Sequence, residues 1–83
     1  MEHFDFDAPA DVFVGEYRRG RNQRMTYRRF QRGAHAIRYA MEGQAAEKLA
    51  GTIVEADESR FGAAEIRSLY ESDDYPMPHR RSS

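Results

Sequence analysis

Apolar positions along this chain change period from one stretch to the next, and each change marks an element. Over residues 12–17, Val12, Val14 and Glu16 alternate with Phe13, Gly15 and Tyr17, the period of a strand. A short helix is the competing reading, capped by Asp7, with Pro9 in its first turn and an end before Gly15. The strand is preferred, because β-branched and aromatic residues dominate 12–17 and Gly20 and Asn22 supply turn chemistry. It pairs as a hairpin with residues 25–30, MTYRRF, around a connection at 18–24. Alternation on this second strand places Met25, Tyr27 and Arg29 on one face and Thr26, Arg28 and Phe30 on the other. Both faces then carry an aromatic and an arginine.

The helical period begins at Gly33. Ala34, Ile37 and Met41 share one side of a helix over 33–41, and Ala45 and Leu49 would extend the stripe. Gly43 interrupts it, and continuing through that position costs about 1 kcal/mol relative to Ala. Arg38 and Glu42 are spaced to pair on the exposed side. Residues 52–56, TIVEA, form a further strand. Gly62 then serves as a helix N-cap, with Glu65 at the third helical position and Ile66 at the fourth, placed to meet Phe61. That helix runs over 63–71 and turns Ile66, Leu69 and Tyr70 inward.

The ends read differently from the middle. Residues 1–9 mix acids with Phe4 and Phe6 and form a flexible acidic N-terminus, with one of those rings resting on the core. Residues 73–83 carry two prolines close together and form an extended C-terminal tail, anchored at Tyr75. The expected fold is therefore α+β: a small two-layer domain over residues 10–72, two or three strands with two helices on one face. Its expected core is Val12, Val14, Tyr27, Phe30, Ile37, Met41, Leu49, Ile53, Val54, Phe61, Ile66, Leu69 and Tyr70.

Length and composition narrow what such a domain does. Eighty-three residues allow one domain with a thin core and no deep pocket. The absence of cysteine excludes disulfides, thiolate nucleophiles and cysteine-ligated metals, and fits a reducing compartment. No apolar run approaches the ~18 residues of a membrane span, and the first residues are acidic where a signal peptide is basic. A cytoplasmic protein without membrane contact is expected.

Charge changes the picture most. The net charge of −1 hides a segregation: residues 17–41 hold eight arginines and no acid, while residues 1–16 hold five acids and no basic residue. Residues 42–79 hold nine acids against Lys48, Arg60 and Arg67. Arginine presents a fork that meets carboxylates and phosphates bidentately. The binding residues expected from this are Arg18, Arg19, Arg21, Arg24, Tyr27 and Arg28. The favoured reading is a small accessory or regulatory protein that binds a partner protein, or a second copy of itself, through charged surfaces with loop 18–24 as the contact. The alternative is a nucleic-acid-binding module using segment 17–38, where Tyr17, Tyr27 and Phe30 add stacking faces to phosphate-neutralising arginines. No RRM, KH or zinc-finger signature accompanies it. Internal pairing competes with both readings, since the acidic 42–79 region folded against the basic 17–41 region would leave little free positive potential.

Catalytic chemistry has no motif. His3, His35 and His79 have no metal-ligand spacing, and His35 reads as a partly exposed helix residue. Glu55, Asp57 and Glu58 form an acidic group, with Glu55 and Asp57 on one face if the strand continues; it reads as a solvated or arginine-paired strand end without an EF-hand pattern. The glycines form neither GxGxxG nor a P-loop. No enzyme activity, catalytic residue, metal site or cofactor is expected.

The stretches YRRF, AHAIRYAME, LAGTIVEADESRF and IRSLYESDDYPMP together resemble a small uncharacterised alphaproteobacterial protein family, over residues 27–78. The resemblance implies a cytoplasmic bacterial protein of unassigned function and carries no site residue.

Overall fold

Residues 10–17 are a strand, β1 (Ala10–Tyr17), so the helical alternative for this segment falls away. Pro9 precedes its first residue, where a missing N–H costs no ladder bond. The computed structural model describes residues 4–17 and 23–78, those at 16, 17, 23 and 24 by backbone alone. β1 pairs antiparallel with β2 (Gln23–Phe30), in a register running from Ala10 opposite Phe30 to Tyr17 opposite Gln23. On its other side β1 pairs antiparallel with β3 (Thr52–Ala56), and β3 pairs with β4 (Ser59–Phe61). The sheet has four strands in the order β2-β1-β3-β4, where two or three were expected.

The added strand is β4. Asp57 and Glu58 both take positive φ, 55° and 69°, and close a two-residue hairpin between β3 and β4. That backbone is usually announced by Asn-Gly, whose absence hid the turn in the sequence.

Both helices, α1 (Gly33–Glu42) and α2 (Ala63–Glu71), pack on the same face of the sheet. α1 lies over β2, β1 and β3, and α2 over β3 and β4. The start of α2 is local chemistry: the Gly62 N–H donates to Glu65 Oε1 at 2.9 Å, and Ile66 is fully buried one turn in. α1 ends at Gly43, whose N–H donates to the Tyr39 carbonyl at 2.9 Å. A short 3₁₀ helix (Ala46–Gly51) then leads into β3 and buries Leu49. The Tyr70 hydroxyl donates to Glu42 and ties α2 to α1.

Between sheet and helices lie Val12, Val14, Ile37, Leu49, Val54, Phe61 and Ile66. Both ends of the described chain join them. Phe4 packs edge-on against Phe61 at 5.2 Å and against Phe6 at 5.1 Å, and Tyr75 sits 5.9 Å from Phe6. Gly33 is required for this closure, because a Cβ there would lie 2.8 Å from the Phe4 ring. The Ala34 N–H donates to the Phe6 carbonyl at 2.9 Å, which holds the N-terminal segment against the start of α1.

Two expected core residues are misplaced. Tyr27 is 54% exposed on the opposite face of the sheet, and Ile53, also expected inside, is half-buried there. Strand parity is the reason. Inward Val12 and Val14 stand opposite Arg28 and Thr26, so the intervening Tyr27 faces out. Small residues fill the space instead: Ala10, Ala34, Ala36, Ala40 and Ala56 are all buried.

Candidate binding face

The sheet face turned away from the helices is built by alternation. β1 supplies Asp11 and Phe13, β2 supplies Met25, Tyr27 and Arg29, β3 supplies Ile53 and Glu55, and β4 supplies Arg60. The register sorts these into rows across the strands. Tyr27, Phe13 and Ile53 form an apolar row, with the Tyr27 and Phe13 rings 5.1 Å apart. Arg29, Asp11, Glu55 and Arg60 form the row beside it.

That charged row neutralises itself. Arg29 Nη1 lies 3.0 Å from Asp11 Oδ1, and Arg60 Nε lies 3.0 Å from Glu55 Oε2. The Tyr27 hydroxyl donates to the same Asp11 oxygen at 2.8 Å, which positions its ring beside Phe13. The hydrogen bond to Asp11 raises the pKa of the phenol above its ordinary value. Met25 and Tyr27, at 62% and 54%, are the large hydrophobic residues most exposed among the described residues.

β2 is also the rim of the sheet, and among the described residues no strand lies along its outer side. Residues 25–29 are all exposed. On the helix side of this rim, the Arg28 guanidinium lies 4.8 Å from the Tyr39 ring centroid and 5.4 Å from that of Phe30. Among the described residues no carboxylate pairs with it. Tyr39 also lines a shallow depression of about 300 Å³ with His35, Arg38, Glu42 and Gly43. Arg38 pairs there with Glu42 at 3.4 Å, as their spacing predicted.

The six expected binding residues divide accordingly. Tyr27 and Arg28 are neighbours on β2 and serve opposite faces of one edge. Arg24 lies on β2 opposite Glu16 in the backbone register. Arg18, Arg19 and Arg21 lie outside the described residues. Sequence reasoning passed over Phe13, Met25 and Ile53 as surface residues and Asp11 as their charged neighbour. The signal was present as the odd-numbered parity of β1, obscured because both parities of β2 carry an aromatic and an arginine.

Charge pairing also differs from expectation. Arg29 and Arg32 meet Asp11 and Asp7, at 3.0 and 3.5 Å, so the N-terminal acids answer part of the basic segment. From the 42–79 region, Glu42 meets Arg38. The acidic group after β3 is split: Glu55 pairs with Arg60, and Asp57 has left the strand for the turn, so the two do not share a strand face. Among the described residues no group of three His, Asp or Glu side chains is arranged to hold a metal ion. No described helix is long and apolar enough to cross a membrane. No family model, curated protein or solved structure matches this chain, so its functional assignment rests on this geometry.

Proposed function

We propose that this chain is a small cytoplasmic accessory or regulatory module, without catalytic activity, that binds an acidic segment of a partner protein. Its contact is the open sheet face together with the outer edge of β2. The exposure of Met25 and Tyr27 carries the reading, because these side chains continue across the sheet into Phe13 and Ile53 instead of standing singly. Arg28, with Arg24 and the arginines at 18, 19 and 21 in the adjoining sequence, biases the partner toward acidic residues.

The nucleic-acid reading draws on the Tyr27–Phe13 ring pair and nearby Arg29. The pairing on that face weighs against it, because Arg29 is held by Asp11 and Arg60 by Glu55, which leaves the rings without a free guanidinium beside them for a phosphate backbone.

The test is panning of displayed random peptides on the immobilised protein, with enriched peptides then measured against a Met25→Ser/Tyr27→Ala double variant. Affinity should fall at least tenfold while stability changes by less than about 1 kcal/mol. Unchanged affinity sinks the proposal. Anisotropy of labelled oligonucleotides at about 50 and about 200 mM salt checks the alternative. Saturable binding that falls steeply with salt, and vanishes when Arg18, Arg19, Arg21 and Arg24 become Ala, would establish a nucleic-acid module instead.

A further inference from the structure

We infer that the partner segment is an extended strand of alternating acidic and apolar residues that adds to the outer edge of β2. The inference rests on the docking reading above and specifies its ligand. Strand addition needs an open edge, and among the described residues β2 has one: it is eight residues long, lies at the rim of the sheet, and is covered by α1 from one face. Its sequence, QRMTYRRF, holds three arginines and no acid. A second copy added through the same edge would bring together two strands that each carry three arginines and no acid, a like-charged pairing that an acidic strand avoids. An acidic strand is the complementary occupant, and a nucleic acid has no amides to continue the ladder.

The pleat then dictates the ligand's pattern. A strand beside β2 places alternate side chains on opposite faces. One set lies beside Met25 and Tyr27, next to the apolar row, and favours apolar residues. The other set lies on the helix side, beside Arg28. There the guanidinium rests on the Tyr39 and Phe30 rings and, among the described residues, meets no carboxylate, while in the neighbouring depression Arg38 is already paired with Glu42, so Arg28 is the side chain on that face that a ligand carboxylate would meet. Acidic and apolar residues must therefore alternate.

The experiment is fluorescence anisotropy with labelled peptides of the length of β2 that alternate Asp and Val. The controls are a peptide of the same composition in two blocks, and two alternating peptides N-methylated at every second amide, one for each parity. The alternating peptide should saturate the protein, and the block peptide should bind at least tenfold more weakly. Methylation should abolish binding at one parity and spare it at the other. Arg28→Glu should weaken the Asp/Val peptide about tenfold and gain affinity for a Lys/Val peptide. The methylation pair alters only the ligand, so its result stands whether or not the charge-reversed protein folds.

Failure of the alternating peptide to saturate, equal binding of the block peptide, or indifference to methylation at both parities overturns strand addition. So does sedimentation showing a dimer whose association is lost when β2 is altered. Panned or block peptides that bind without alternation and still depend on Met25 and Tyr27 would overturn the strand mode and leave the docking face intact. Binding that ignores both side chains would remove both.

Discussion

Tyr75 lies in a buried setting of aromatic rings, with Tyr70 5.1 Å and Phe6 5.9 Å from its own. Burial first, then the Glu42 carboxylate and Tyr70, pushes its hydroxyl pKa up to about 12 from the ordinary 10.0. The folded protein thus holds a proton that the unfolded chain releases near pH ~10. Its contribution to stability is complete below that pH and declines as the pH rises toward the folded value of about 12. Denaturant unfolding of the wild type and Tyr75→Phe across this window measures the effect. The wild type should lose stability relative to the variant as pH rises, and a constant difference would contradict the assignment. At the same scale, Arg28 and Tyr27 show how adjacent residues on one strand acquire different surroundings: one guanidinium on two rings, one phenol on a carboxylate.

The elements themselves are mostly local in origin. α2 begins at the cap and third-position glutamate that its sequence displays, and Arg38 pairs with Glu42 across one turn as their spacing requires. β4 is the exception, because its hairpin depends on two residues in a conformation that their side chains disfavour. Glu58 at φ 69° has no local reason to be there, and only the pairing of β3 with β4 holds it. Glu58→Gly should therefore stabilise the protein by about 1 kcal/mol, read as a rise in Tm, since glycine adopts this backbone without penalty. A fall in Tm would mean that the glutamate side chain makes a contact worth more than the strain.

At the scale of the whole molecule, both helices crowd one face of the sheet and no described element covers the other, and this asymmetry creates the candidate binding face. The covered side is thin, so the chain ends help to complete it: Phe4 and Tyr75, 5% and 7% exposed, close it around Phe61 and Phe6. Phe4→Ala should cost about 3 kcal/mol, because it opens a cavity between the N-terminal segment, β4 and the start of α1. Calorimetry would show this as a large drop in Tm, and a change below about 1 kcal/mol would mean that the segment contributes no packing. The Met25→Ser/Tyr27→Ala variant should behave oppositely, losing partner binding and keeping stability, since those side chains already face water. Core and candidate binding face would then be separable by mutation, although they occupy two sides of one sheet.

From its sequence alone the chain determined what depends on near neighbours: the α+β class, both helices, the cap of α2, three of the four strands and the segregation of charge. Period and capping act within a few residues, so a linear reading captures them. Tertiary structure decided which parity of β2 faces inward, and with it that Tyr27 belongs to the surface and the buried alanines to the core. It also decided that Asp7 and Asp11 would answer the arginines of the next segment, and how Phe4 and Tyr75, the ring and the anchor expected from the sequence, meet Phe61 and Phe6. Each of these depends on register or on contacts between residues distant in the chain. β2 carries an aromatic and an arginine on both of its faces, so only its pairing with β1, whose inward face was already set by Val12 and Val14, could choose between them.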